Sequence, residues 1–116
     1  RKDESKMNKL QKIDQFYVDQ FAGFLERMRS LKETDGRSLL DSSMIVFGGG
    51  ISDGDRHNHD ELPIILAGGG NGKLRKGRHL VSKEPVPMTN LYLSLLDKAG
   101  VKADRLGDST GRFDLI

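Results

Sequence analysis

The chain has 116 residues, of which 35% are hydrophobic and 31% charged, and it contains no cysteine. This length suits one compact domain, and the absence of cysteine excludes a disulfide scaffold, a cysteine zinc site and a thiol nucleophile. The 19 Lys and Arg residues stand against 17 Asp and Glu, a net charge of +2, so nucleic-acid binding would require a local basic patch. Every apolar run is far shorter than the roughly 18–20 residues of a membrane span, so none is predicted.

A long amphipathic helix is predicted first, from about residue 4 to residue 31. Its apolar residues recur every three or four positions, at Leu10, Ile13, Tyr17, Phe21, Phe24, Met28 and Leu31. This spacing places them in one stripe along a helix. Because the stripe is rich in aromatic side chains, we expect it to be a core face that packs against a sheet. The dipeptide Asp35-Gly36 is typical of a turn that closes such a helix.

Two short strands are predicted next, at residues 43–47 and 63–67, and each is followed by three glycines. Continuous apolar runs of this kind are typical of inner strands in a sheet that is covered on both faces. The glycine-rich loops, residues 48–54 and 68–72, are therefore candidate ligand-binding loops. They match neither the P-loop nor the dinucleotide-binding pattern, and tight turns are the simpler interpretation.

The rest of the chain predicts a small hairpin and a second helix. The hairpin would span residues 73–82 and turn at Lys76-Gly77, and the helix would be Met88–Ala99, with Thr89 as its N-cap and Gly100 as its stop. Two strands alone would leave unpaired sheet edges. We therefore expect the missing N-terminal part of the same protein, or another chain, to complete the sheet.

The densest group of candidate ligands is the run SDGDRHNHD at residues 52–60. Carboxylates and imidazoles are ligands that zinc, manganese and iron sites combine. His57 and His59 would project the same way on an extended backbone, and Asp53 would approach from the end of the preceding strand. The alternative is a solvated loop in which Asp and Asn side chains cap turns and Arg56 pairs with Asp55 or Asp60.

Basic residues are concentrated between residues 73 and 83. They would suit phosphate or sulfate groups, but no aromatic residue lies among them to stack on bases, so nucleic acid is not the expected partner. A solvated surface hairpin is the alternative. A Ser-His-Asp triad is not predicted, because no serine lies in a GxSxG elbow.

Several phrases together resemble the C-terminal part of the bacterial domain of unknown function 1552 family: LLDSSMIVFGGGISDGDRHNHDELPIILAGGG, GRHL, PMTNLYLSLLDKAGV and RLGDSTG. The resemblance covers nearly the whole chain. It implies an α/β fold, the C-terminal portion of a three-layer α/β/α sheet domain similar to the alkaline phosphatase and sulfatase superfamily. It also leaves export to the periplasm or the cell exterior open. The chain begins at Arg1, and we expect residues 1–116 to form a single fragment of that larger domain.

The superfamily hydrolyses phosphate or sulfate esters with one or two metal ions, so the resemblance implies metal ligands in this chain. Asp53 would match a strand-end aspartate, His59 a later histidine, and His57 is a neighbouring candidate. Gly54 stands where the superfamily has a histidine. The implied ion would be zinc, manganese or calcium, and the nucleophile would lie upstream.

The same resemblance implies that three basic side chains offset the charge of an anionic ester substrate: Arg56, Lys73 and Arg78. A part of a metal-dependent phosphatase or sulfatase is thus the leading expectation, and the packed SDGDRHNHD run at residues 52–60 favours it. The alternative is a non-catalytic binding or structural domain that keeps the hydrolase-like fold, and the missing histidine beside Asp53 favours it. Because both expectations come from a resemblance of fold, the side chains themselves have to decide between them.

Overall fold

A computed structural model describes residues 3–116 and shows a mixed α/β chain. Its elements in chain order are the helices α1 (Glu4–Ser30) and α2 (Leu39–Ser42), the strands β1 (Ile45–Gly48) and β2 (Ile64–Ala67), a short 3₁₀ helix (Gly70–Gly72) and the helix α3 (Met88–Ala99). The chain divides into two compact units. The first comprises Arg1–Leu40 and Val46–Ile65, and the second comprises Asp41–Ile45 and Leu66–Ile116. Within residues 3–116, no helix is both long and apolar enough to cross a membrane.

Helix α1 agrees closely with the prediction from the apolar spacing. At its beginning, the Asp3 carboxylate accepts a hydrogen bond from the Lys6 backbone N–H at 3.1 Å, which satisfies one of the unpaired donors of a helix N-terminus. At its end, Leu31 is extended and its N–H donates to the Arg27 carbonyl. The predicted turn follows, with Gly36 at a φ of 86°.

The apolar stripe of α1 is covered only in part. The Phe21 ring stacks on the ring of Phe47 in β1, with 4.3 Å between centroids and 9° between planes. No α1 residue is buried, however, and 58% of Tyr17 is exposed. The expected packing of the stripe on a sheet is therefore seen at Phe21, while most of the stripe faces solvent within residues 3–116.

Strands β1 and β2 form a two-stranded antiparallel sheet close to the predicted positions. The segment before β1 and the segment after β2 also lie close together, since the Gly70 N–H donates to the Ser43 carbonyl at 2.9 Å. Neither strand is buried throughout, in contrast to the expected inner strands; Ile65 is 46% exposed. Because the carboxyl ends of antiparallel strands lie at opposite ends of their ladder, the two glycine-rich loops do not share one sheet edge.

Helix α3 has the predicted bounds and carries the core of the second unit. Leu93 is the most deeply buried large side chain among residues 3–116, with 1% of its surface exposed. Gly100 ends the helix in the left-handed conformation, with a φ of 85°, as expected for a glycine C-cap. The N-cap prediction was wrong: Pro87 holds that position, and the Thr89 hydroxyl donates to Asp108 at 2.7 Å instead.

The C-terminal residues have no regular structure, yet polar side chains of α3 hold them. The buried Asn90 donates from Nδ2 to the Thr110 hydroxyl at 3.1 Å and accepts from the Thr110 backbone N–H at 2.9 Å. The buried Ser94 hydroxyl accepts from the Phe113 N–H at 2.7 Å. Side chains therefore replace the backbone ladder that this segment lacks.

Candidate functional site

The candidate ligand loop follows β1 and closes on itself. Asp53 and Asn58 form an isolated antiparallel bridge. Inside it the His57 N–H donates to the Asp53 carbonyl at 2.7 Å, and outside it the Ser52 N–H donates to the Asn58 carbonyl at 3.1 Å. Four residues are thus folded into a tight turn between the bridge partners.

The Asp53 carboxylate has a structural part in this turn. Its Oδ1 accepts hydrogen bonds from the backbone N–H groups of Asp55, at 2.9 Å, and Arg56, at 3.4 Å. This is the pattern by which Asp and Asn side chains stabilise turns. The capping role that the sequence left open as an alternative is therefore present at Asp53.

His57 does not have the backbone conformation that the metal prediction assumed. Its φ is 55°, in the left-handed region that residues other than glycine adopt infrequently. The expected common direction of His57 and His59 required an extended chain, in which residues two apart face the same side. Because the chain forms a tight turn here, the backbone is not extended as the prediction required.

His59 has the most ligand-like environment of the predicted residues. Its Nδ1 lies 2.5 Å from the Gly50 carbonyl oxygen. Because a carbonyl only accepts hydrogen bonds, this contact requires a proton on Nδ1, and in the singly protonated ring the lone pair is then on Nε2. Histidines that bind metals commonly donate their other ring N–H to a backbone carbonyl in this way.

The predicted ligands do not form a metal-binding group in the described part of the chain. Within residues 3–116, no three or more His, Asp and Glu side chains are placed to hold one ion together. Asp53, His57 and His59 are close in sequence, but the turn uses Asp53 as a cap and His57 as a left-handed corner. Metal ligation by these three residues stays a prediction.

The predicted substrate-binding cations have different surroundings. Arg56 lies in the exposed turn of the ligand loop, where its backbone N–H donates to Asp53 Oδ1. In the second unit, Lys73 Nζ donates to the Lys98 carbonyl at 2.5 Å, and Lys98 Nζ donates to the Lys73 carbonyl at 2.9 Å. Lys73 therefore caps the end of α3, where cations are favoured.

Arg78 lies in an irregular basic segment. Its Nη2 donates to the Arg75 carbonyl at 3.2 Å, and Gly77 between them has a φ of 71°. No strand forms at residues 73–82, so the predicted hairpin was wrong, although the backbone bends at Gly77.

Sequence reasoning missed the hydrogen bonds between the buried Asn90 and the exposed Thr110, because small polar residues are equally common in solvated loops. It also did not anticipate that most of the α1 stripe would stay exposed. Comparison with protein-family models, characterised proteins and solved structures gave no match. The resemblance to the domain of unknown function 1552 family thus stays a prediction, and functional inference rests on the side chains described above.

Proposed function

We propose that this chain is a non-catalytic binding or structural domain that keeps the three-layer fold of the alkaline phosphatase and sulfatase superfamily. The observation that carries the proposal is the Asp53 carboxylate, whose Oδ1 accepts two backbone N–H groups of its own loop. The resemblance assigns Asp53 to metal binding, whereas the two hydrogen bonds at its Oδ1 are those of a turn cap.

Two further features support this function. Gly54 stands where the superfamily has a histidine, so the usual pair of ligands at a strand end is incomplete. The two-stranded sheet and the exposed stripe of α1 also suit a segment that is completed by other polypeptide. That polypeptide would be the N-terminal part of the same protein or another chain.

Replacing Asp53 separates capping from metal binding. An asparagine side chain can cap the same turn but is a poor substitute for a carboxylate ligand. We expect Asp53→Asn to keep the stability of the wild type and Asp53→Ala to lose about 1 kcal/mol, the usual effect of removing a capping oxygen. Urea unfolding followed by circular dichroism measures both.

Metal analysis is the measurement that could contradict the capping role of Asp53. The full chain and both variants would be incubated with Zn²⁺, Mn²⁺ or Ca²⁺, dialysed and analysed for bound metal. Equal metal content in all three proteins supports the capping role. Stoichiometric metal in the wild type that disappears in Asp53→Asn would overturn the proposal.

A second candidate function is a part of a metal-dependent hydrolase of phosphate or sulfate esters. The observation that favours it is the orientation of His59, whose Nδ1 is held by the Gly50 carbonyl. In this case Asp53, His57 and His59 would hold the ion, which supplies Lewis-acid activation of the ester. His59 would contribute Nε2.

The cations Arg56, Lys73 and Arg78 would offset substrate charge in that second function. It predicts metal binding that is weakened by His59→Ala and unaffected by His79→Ala, a matched control in the basic segment. It also predicts release of nitrophenol from nitrophenyl phosphate or sulfate by the full-length protein. Equal metal binding in both histidine variants, without ester hydrolysis, would exclude this candidate.

A further inference from the structure

The chain contains three pairs in which glycine directly follows an aspartate or an asparagine: Asp35-Gly36, Asp53-Gly54 and Asn71-Gly72. In such a pair the backbone nitrogen of the glycine can attack the side-chain carbonyl carbon before it, because glycine has no side chain to hinder the approach. We propose that Asp53-Gly54 is a site of covalent modification, at which Asp53 converts to isoaspartate through a cyclic imide, while the folded chain protects the other two pairs. This inference does not depend on the proposed function.

The reaction needs only water as a co-reactant. In its first step the Gly54 nitrogen loses its proton and bonds to Cγ of the protonated Asp53 carboxyl group, and one carboxyl oxygen leaves as water. In the second step water adds to the imide and breaks one of its two carbon–nitrogen bonds. Opening at Cγ restores aspartate, and opening at the backbone carbonyl gives isoaspartate, so nothing is oxidised or reduced.

The hydrogen bonds of the Asp53 carboxyl group favour the first step. Its Oδ1 accepts from the backbone N–H groups of Asp55, at 2.9 Å, and Arg56, at 3.4 Å. Attack on Cγ places negative charge on a carbonyl oxygen, and donors that already face this oxygen stabilise the charge. The same bonds restrict the carboxyl group before the reaction, so less freedom is lost when the imide forms.

The Gly54 nitrogen is accessible for the attack. The N–H groups that donate hydrogen bonds inside the turn belong to Asp55, Arg56 and His57, the three residues that follow Gly54. Gly54 is exposed, and a Cβ added to it would meet no atom within 4 Å. The nitrogen therefore has room to move toward the Asp53 side chain.

The Asp35-Gly36 pair is protected at both of its reacting groups. The Gly36 N–H donates to the Glu33 carbonyl at 3.0 Å, and this bond has to break before the nitrogen can attack. The Arg37 guanidinium donates to Asp35 Oδ2 at 2.8 Å, and this hydrogen bond lowers the pKa of Asp35. Because the carboxyl group must be protonated before water can leave, the lowered pKa reduces its reactive fraction.

The Asn71-Gly72 pair is protected by its backbone. The Gly72 N–H donates to the Gly69 carbonyl at 2.9 Å. Asn71 itself has a φ of 58° and a ψ of 39°, within the short 3₁₀ helix. The turn has to open locally before the Gly72 nitrogen can reach the Asn71 side chain.

Isoaspartate at position 53 would change the candidate ligand loop. The modification adds one carbon atom to the backbone between residues 53 and 54. Both the bridge between Asp53 and Asn58 and the cap at Oδ1 depend on the present backbone. We therefore expect the modified loop to lose its cap.

Peptide mapping of the full wild-type chain after long incubation in mildly acidic buffer tests the site. Isoaspartate can be detected by enzymatic methylation and located by electron-transfer fragmentation. It should accumulate at position 53 on the order of 10-fold faster than at position 35, where a hydrogen bond must first break. In urea the two Asp-Gly pairs should react at similar rates. Equal accumulation at both positions in the folded chain would overturn the inference.

Asp53→Asn permits a comparison of identical pairs, because an Asn-Gly sequence then occurs at positions 53 and 71 of one chain. Ammonia leaves instead of water, so protonation of a carboxylate no longer matters. In the folded variant the amide at position 53 should be lost on the order of 10-fold faster than the amide of Asn71. The two rates should converge in urea. Equal rates in the folded variant would show that the fold protects neither pair selectively.

Gly54→Ala is the matched variant for the attacking residue. Gly54 is not among the glycines with a positive φ, and its surroundings are open, so circular dichroism should show a folded chain. Isoaspartate should form several-fold more slowly, because the added methyl group hinders the nitrogen. An unchanged rate would overturn attack by the Gly54 nitrogen. None of these outcomes affects the proposed function, which metal analysis of freshly prepared protein decides separately.

Discussion

Asn90 hydrogen-bonds α3 to the C-terminal residues, and its replacement by alanine should measurably lower the free energy of unfolding. The side chain is 5% exposed and makes two hydrogen bonds to Thr110, one to the hydroxyl and one to the backbone N–H. A neutral hydrogen bond contributes about 1 kcal/mol net. Because Thr110 itself is exposed, water can reach the groups left behind, and we expect a loss of about 2 kcal/mol rather than the full cost of an unpaired buried group.

Urea unfolding followed by circular dichroism measures this loss, and the melting temperature should fall by roughly 8 °C for a chain of this size. Thr110→Val is the matched variant, because it removes only the hydroxyl and keeps the backbone bond to Asn90 Oδ1. It should cost about 1 kcal/mol. If Asn90→Ala costs no more than Thr110→Val, the backbone bond contributes nothing and the reasoning is refuted.

Two further predictions concern the second unit. Arg112 hydrogen-bonds to the Asp97 carboxylate and lowers the pKa of Asp97 below its ordinary value of 3.8. A lowered carboxyl pKa gives stability that is fully present above the ordinary pKa value and is lost as pH falls through the folded-state pKa. The free energy of unfolding in urea should therefore be larger for the wild type than for Asp97→Asn at pH 7, and this difference should shrink as the pH falls below 3.8; a difference that does not change with pH would contradict this. Gly69→Ala should lower the free energy of unfolding by about 1–3 kcal/mol, because an added Cβ would overlap the Asp41 carbonyl. The control is Gly111→Ala, whose Cβ would meet no atom within 4 Å, and it should be neutral in thermal unfolding. Equal losses of stability in the two variants would contradict this.

The helices were predictable because their signals are local. An apolar residue every third or fourth position specifies α1, and Gly100 specifies the end of α3, through interactions within a few residues. The strands were located within two residues for the same reason. Thr89 was misassigned as the N-cap because Pro87 already had the conformation needed to begin the helix, and the Thr89 hydroxyl found Asp108, far along the chain.

Of the candidate site, only the residue types could be predicted from the sequence. The sequence identifies Asp53, His57 and His59 as potential ligands by their chemistry, but the direction of each side chain depends on backbone angles in a turn of four residues. A left-handed His57 and an Asp53 that bonds to the turn changed the arrangement. Likewise, the sequence suggests Lys73 as a substrate-binding cation, whereas in the structure its Nζ donates to the Lys98 carbonyl.

The sequence alone determined the long amphipathic helix, the second helix, two short apolar strands and the absence of any thiol chemistry. The tertiary structure decided the antiparallel pairing of the strands, the capping role of Asp53 and the exposure of most of the α1 stripe. The physical reason is that periodicity and capping act over one or two turns of chain, whereas strand direction, burial and side-chain partners depend on residues that are distant in sequence. The same stripe therefore predicts where the helix lies, but not which of its apolar side chains the rest of the chain covers.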